Sequence, residues 1–374
     1  MTRRLIVLVF LLIILMSGPA LALDKQFETG VLATCWKNNN DDKGTQLAIP
    51  IKAVLTYQDF KAQLLNAFTY TSVNPDEADS ASLSRLLDTK LNFSYLMTSR
   101  VPVDVLMGCG FNLPTGYTDL SLKELSLVYL PPELLPINTF GEGLNINPYI
   151  GVSKEWTRMV MGFGLGYNWR GEYDYSEFIQ GYDPGDILTV TLEAGYDFTD
   201  SLQGRFYGEY ANYGKDTIDG NDYYQDGSLT LGGLDLTYSR STWEIGANIT
   251  GIFRAKARYY IETATPIEDA KIYGDEYQAG LTYRYFMNST TALKSGIHLL
   301  TMAENGYDKG SPYYAGGRQK ITLSAGTEKT FTKDIKGSLG LDLFTIKDKE
   351  NWYHPGEDFS YKGFIFSAGL NKVF

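Results

Sequence analysis

Five basic residues fall into two groups with a spacing of two: Arg254, Lys256 and Arg258, then Arg318 and Lys320. In an extended chain, residues two apart share a face, so each group presents a row of cations to one side. Such rows at the constriction or mouth of a pore would favour anionic solutes. The competing reading is that these cations pair with acidic loops folded over them. Arg205, Glu244 and Arg284 extend the candidate set. They share an alternation with Lys52, Asp104, Glu193, Asp197, Glu209, Asp235, Lys294, Glu328 and Asp342. That many charges in a dry interior would each cost several kcal/mol, so they require water or mutual pairing.

Other chemistry is poorly supplied. With Cys 2 and His 2, the chain cannot build a thiolate or imidazole metal centre, and no metal or cofactor is expected. His298 shares a face with Lys294 while Ser295 points the other way, and His354 lies near Glu350, Glu357 and Asp358. Neither histidine has the aligned nucleophile and orienting group that acyl transfer needs, so no enzyme is expected. The acidic, aromatic stretches 171–186 and 215–226 lack the spacing of a twelve-residue calcium loop and read as solvated loops. A net charge of −11 argues against nucleic acid. Cys35 and Cys109 fall on strands that are not neighbours, and a disulfide requires Cα atoms within about 7 Å, so two separate buried thiols are expected.

The elements that must position these residues are strands. Residues 1–22 carry Arg3 and Arg4, the apolar run Leu5–Met16 and the site Ala20-Leu21-Ala22, which reads as a cleaved signal peptide. Beyond it the dominant period is two. Met159, Met161, Phe163, Leu165, Tyr167 and Trp169 alternate with Val160, Gly162, Gly164, Gly166, Asn168 and Arg170, giving one face fit for lipid and one for water. Similar segments recur, among them Asp186–Phe198, Thr242–Tyr259 and Glu276–Met287. Short turns alternate with long polar loops such as Ser72–Thr89, Leu113–Leu144, Gly171–Gly185 and Gly214–Gly227, a sorting characteristic of outer-membrane barrels. The fold class expected is all-β: residues 23–374 form one transmembrane antiparallel up-and-down barrel of about sixteen strands. Fourteen is the alternative, because Lys90–Met97 is short and Phe27–Trp36 does not alternate cleanly.

The loop 113–144 is apolar where the others are polar. Leu120–Leu130 has leucines at mixed helical spacing, and Pro131, Pro132 and Pro136 end any helix. An apolar loop does not sit comfortably in water, so it is expected to fold inward and narrow the lumen or mouth. The last strand carries Phe364, Phe366, Ala368, Leu370 and Phe374 on one face. Phe374, with Leu370 and Phe366, resembles the assembly signal of outer-membrane barrels, which implies hand-over to the barrel-insertion machinery; Lys372 stands where that pattern prefers an aromatic. The runs Gly141-Glu142-Gly143-Leu144-Asn145-Ile146-Asn147-Pro148 and Tyr182-Asp183-Pro184-Gly185-Asp186 resemble barrels grouped with long-chain fatty-acid and aromatic-hydrocarbon transporters. That resemblance implies uptake of hydrophobic small molecules. Those transporters carry a hatch before the first strand, for which Leu23–Gln26 leaves no room.

The expected function is an outer-membrane channel for passive diffusion of small solutes, hydrophobic or anionic. The alternative is a surface barrel, an adhesin or structural protein, binding partners through its acidic aromatic loops. Expected partners are outer-membrane lipid, lipopolysaccharide and a small-molecule solute. Resemblance to porins implies a homo-oligomer.

Overall fold

The computed structural model describes residues 23–75, 79–98, 101–260, 267–268, 271–351 and 356–374. The expected signal peptide, His354 and part of the Thr98–Arg100 turn lie outside the described residues.

Sixteen antiparallel strands close into a barrel, with one further strand in the same sheet. The wall runs β1 (Asp24–Asn38), β2 (Lys43–Tyr57), β3 (Phe60–Asn74), β4 (Ala81–Leu86), β5 (Thr89–Met97), β6 (Asp104–Leu113), β7 (Asn145–Glu155) and β8 (Met159–Arg170). A short β9 (Tyr182–Asp183) precedes β10 (Ile187–Thr199) and β11 (Leu202–Tyr213). Then come β12 (Asp216–Ile218), β13 (Asn221–Gln225), β14 (Leu229–Ser239), β15 (Trp243–Arg254), β16 (Arg258–Tyr259) and β17 (Ile267–Glu268). The wall finishes with β18 (Glu276–Asn288), β19 (Thr291–Met302), β20 (Arg318–Thr332), β21 (Ile335–Asp348) and β22 (Phe359–Val373). Closure is by β1 against β22, in a ladder running from Gln26 opposite Val373 to Asn38 opposite Tyr361. Closing the sheet removes the free edges that lipid cannot satisfy. Gly30 is needed at this seam, because a Cβ there would stand 2.4 Å from the Ala368 carbonyl oxygen.

The register sorts the faces. On β8, Met161, Phe163, Leu165, Tyr167 and Trp169 are exposed on the outside, beside Ile146, Ile150 and Val152 of β7 and Leu188, Val190, Leu192 and Ala194 of β10. The same holds around the circumference for Leu234, Ile249, Leu281, Leu323, Leu341 and Phe366. A contiguous apolar belt of this extent would be untenable in water and is satisfied by hydrocarbon. Among the described residues no helix is long and apolar enough to cross a membrane.

Three features depart from the pattern expected. The stretch Ser72–Thr89 is not all loop: β3 continues to Asn74, and β4 pairs with it from Phe68 opposite Leu86 to Val73 opposite Ala81. Lower down Leu65 opposes Lys90, so the three residues Leu87–Thr89 face only Asn66 and Ala67 across a bulge. The alternation is hard to read there because Ala81 and Leu83 point inward onto apolar cover rather than water. The stretch Thr242–Tyr259 is not one strand either. The β14 ladder ends with Leu229 opposite Arg254; just beyond it the Ala255 N–H donates to the Ser228 carbonyl at 2.8 Å, and Arg258 and Tyr259 pair instead with Gln225 and Tyr224. Finally, β9, β12, β13, β16 and β17 form a separate five-stranded rim sheet, all but β16 from segments that read as loops.

Candidate functional site

Between β6 and β7, Ser121 caps α1 (Leu122–Val128). Its hydroxyl accepts from the Glu124 backbone N–H at 3.4 Å, while the Glu124 carboxylate accepts from the Ser121 N–H at 3.0 Å, a reciprocal capping box. The segment then turns at Pro131, whose carbonyl accepts from the N–H groups of Leu134 and Leu135. Leu120, Leu125, Leu127, Leu134, Leu135 and Phe140 join one buried cluster with Trp36, Val73, Leu83, Phe344 and Ile346. These wall residues belong to β1, β3, β4 and β21, on faces opposite the lipid-exposed side chains.

Polar contacts fix the same segment at three heights. At its neck, Asp88 in the β-bulge is 6% exposed. Its Oδ1 accepts from the Gly116 N–H at 2.7 Å; its Oδ2 accepts from the Glu142 N–H at 2.7 Å and from Asn112 Nδ2 at 2.8 Å. One carboxylate thus gathers both ends of the excursion. In its return limb, the Gln46 amide accepts from the Ile137 N–H at 2.9 Å and donates to the Ile137 carbonyl at 2.6 Å, as a neighbouring strand would. Near its apex, Glu133 accepts from Arg318 Nη1 at 2.7 Å, and its carbonyl accepts from Lys320 Nζ at 2.8 Å.

The candidate cations are accordingly mostly engaged. Arg318 also donates twice to Asp348, at 2.6 Å each, and Lys320 lies 4.7 Å from the Phe344 ring centroid. Arg205 donates to Glu193 at 2.6 and 3.1 Å and stands 3.8 Å from Asp235. Arg284 and Lys294 both donate to Glu328. Glu244 accepts from the Ser239 hydroxyl at 3.2 Å. Arg254 meets Glu276 only at 3.7 Å, too long for a hydrogen bond. Lys256 and Arg258 are exposed beyond the end of β15. The two basic groups do not merge: β18 and β19 stand between β15 and β20.

Among these charges the inward face also carries small and neutral polar residues. Glycines at Gly164, Gly166, Gly233, Gly280 and Gly340 alternate with Thr191, Asn248, Thr282, His298 and Ser324. The Tyr207 ring lies over Gly233, where a Cβ would meet it at 2.3 Å, and its hydroxyl bonds Thr250 at 2.7 Å. Polar inside, apolar outside, closed on itself: this build suits hydrocarbon on its outer face and water on its inner one.

The fold is a closed, lipid-facing transmembrane β-barrel.

No protein-family model matches the chain, and no curated protein sequence matches it. Among solved structures it is similar to a loop L8 deletion mutant of OmpT, an outer-membrane protein of Vibrio cholerae, at 13% identity and TM-score 0.42 over 94% of this chain and 100% of that one. An anion-selective porin from Comamonas acidovorans aligns at 11% identity and TM-score 0.43, over 94% and 99%. A deltaS2 mutant of the TodX monoaromatic hydrocarbon channel aligns at 11% and 0.45, over 94% and 90%.

The barrel's rim carries a second concentration of chemistry. Tyr173, Tyr175 and Tyr182 meet with ring centroids 5.6 to 6.3 Å apart, and Tyr224 meets Tyr259 at 4.9 Å. Burial pushes the Tyr175 phenol up to about 12, and Tyr173, Tyr182 and Tyr224 are raised by the same cause. A phenol whose folded pKa lies above the unfolded value of about 10 binds its proton more tightly when folded. Its contribution to rim stability is therefore complete below pH 10 and lost as pH rises toward 12. Titrating phenolate absorbance should show a late-ionising group of tyrosines that shrinks by one in Tyr175→Phe; uniform ionisation near the ordinary value would contradict this.

Cys35 and Cys109 are free, as separate thiols. They are half-buried on the outward face rather than buried, Cys35 opposite Phe364 and Cys109 opposite Phe93. Leu370 and Phe366 face outward, and Lys372 Nζ lies 4.2 Å from the Phe374 ring centroid. Among the described residues no group of three or more His, Cys, Asp and Glu is placed to hold a metal ion. Asp88, Gln46 and Glu133 escaped the sequence reading; only the Pro131-Pro132-Glu133 turn, an acid amid leucines, carried a signal.

Proposed function

We propose that this barrel is a passive diffusion channel for small polar solutes, with segment 113–144 as a fixed constriction on one side of the lumen. The observation that carries the reading is the seating of that segment by Asp88, Gln46 and Arg318 at three heights, with Leu120, Leu125, Leu127, Leu134 and Leu135 covered. A loop so anchored narrows a pore without serving as its gate. The open side is the glycine-lined wall β8 to β19, which leaves room beside the segment.

Ion pairing of Arg205, Arg284, Lys294 and Arg318 supports weak charge discrimination in the lumen itself. It favours the paired reading of the candidate cations over an electrostatic filter. A solely hydrophobic cargo fits the neutral amide and hydroxyl lining poorly. As part of the same reading, Phe374 with Leu370 and Phe366 is the signal handed to the insertion machinery.

Liposome swelling with graded sugars, organic anions and fatty acids tests the proposal. Swelling that declines with the size of the sugar is expected. Impermeable liposomes holding correctly folded barrel would favour the surface-binding alternative.

A further inference from the structure

Arg205, Arg284, Lys294 and Arg318 reach acids within hydrogen-bond distance, whereas Arg254 at the mouth does not. Arg254 ends β15 pointing inward, and its Nη1 is buried with no hydrogen-bond partner. Its nearest acid, Glu276, is 3.7 Å from Nη2 and does not reach Nη1. Leaving a guanidinium N–H buried and unmatched costs about 1 to 3 kcal/mol, so an arrangement that retains it invites an acceptor from outside the chain.

What surrounds this nitrogen is aromatic. The Tyr273 ring centroid lies 5.6 Å from the guanidinium carbon. Tyr213 ends β11, and Tyr213 and Tyr273 both feel the Arg254 charge. Tyr224, packed on Tyr259, donates to Asp226 at 2.6 Å, and Asp226 lies within electrostatic reach of both Arg254 and Arg170. These rings come from four separate segments: the end of β11, the β12–β13 hairpin, β16 and the approach to β18. Tyr273 stands against the guanidinium itself, while Tyr224 and Tyr259 belong to the rim sheet.

The acids are already committed. Asp226 accepts from a phenol, and Glu276 accepts from Gln278 Nε2 at 2.6 Å. Glu276 at 3.7 Å already offsets part of the Arg254 charge, so the site suits one negative charge better than two. Ring walls about a single donor of positive charge match a molecule with a flat apolar body and one anionic end.

We propose that the mouth of the barrel contains a binding site for small ring-bearing monocarboxylates, the carboxylate accepting from the Arg254 guanidinium, whose side chain is 26% exposed, and the ring resting against Tyr273 and Tyr213. The site rests on the channel reading in that it would load the pore, and it deepens that reading by naming a solute class. Selectivity then resides at the mouth, where Arg254 has no acid within hydrogen-bond distance, while the paired lumen below lets the solute pass.

Benzoate is a suitable probe, with acetate and benzamide as the charge-only and ring-only controls. Added on the long-loop side of single channels in a planar bilayer, benzoate should interrupt the ionic current in a saturable way, and each control should be roughly tenfold weaker. Arg254→Gln should raise the half-saturating benzoate concentration roughly tenfold or more, and Tyr273→Ala, at an exposed ring, should raise it by a smaller factor. Quenching of intrinsic fluorescence by benzoate in the refolded, detergent-solubilised barrel measures binding without a pore. Quenching without conductance would retain the site and remove the channel. Normal conductance with benzoate no more effective than acetate, or unaltered by both substitutions, would overturn the site.

Discussion

Replacing Asp88 by alanine is expected to loosen the constriction: single-channel conductance rises and becomes noisy, while the barrel stays closed. The carboxylate accepts three hydrogen bonds in a nearly buried position, two of them from the opposite ends of segment 113–144. Bonds to an ionised acceptor are the strong class, and removing this one strands the Gly116 and Glu142 N–H groups, so a cost of about 3 kcal/mol falls on the seating of the segment. The wall tolerates it because the bulge is also held by Asn66, whose amide donates to the Leu87 carbonyl at 3.0 Å and to Thr89 at 2.9 Å. Asp88→Asn should be intermediate, since one oxygen remains an acceptor while the other is replaced by a donor facing donors. Heat-dependent migration in electrophoresis reports closure, and limited proteolysis between residues 113 and 144 reports seating. Unchanged current and unchanged protease resistance in Asp88→Ala would remove the neck clasp from the mechanism.

The sheet was readable because lipid imposes a period of two with few exceptions, as Met159–Arg170 shows. Where the inner face meets protein instead of water, that contrast collapses. Trp36, Leu83, Phe344 and Ile346 are apolar residues facing inward, and they blur the alternation of β1, β4 and β21. This is why β1 looked irregular and β4 looked like loop. The same physics hid the anchors of segment 113–144. Asp88 looks like an ordinary polar loop residue until a bulge places it between Gly116 and Glu142, and nothing local to Gln46 announces a partner at Ile137, far along the chain. The apolar character of the segment was legible because composition is local; its attachment points were not, because they are fixed by barrel register. The basic groups divide similarly. Arg318 and Lys320 sit on the inner wall as spacing implied, but Lys256 and Arg258 lie past the last β14 partner, and a strand's end is set by its neighbour rather than by its own residues.

Arg318→Gln should destabilise the seated segment by about 3 to 5 kcal/mol, because it leaves two buried or half-buried carboxylates without their shared cation. The Arg318 side chain is 16% exposed, with Glu133 at 11% and Asp348 at 19%, so water screens these charges poorly. The pairing is directional as well: one fork holds Asp348 on the adjacent strand, and the remaining Nη1 donor reaches Glu133 on the segment. Much of the loss is the penalty of orphaned charge rather than the worth of the bond, which makes a specific prediction about the double variant. Arg318→Gln with Glu133→Gln removes one orphan, and it should be more stable than Arg318→Gln alone, a coupling of about 1 to 3 kcal/mol in a double-mutant cycle. The leucine cluster and Asp88 still hold the segment, so conductance should change less than in Asp88→Ala even though stability falls. If the two substitutions were additive, Glu133 would be a solvated bystander, and the apex of the constriction would rest on Lys320 and its bond to the Glu133 carbonyl alone.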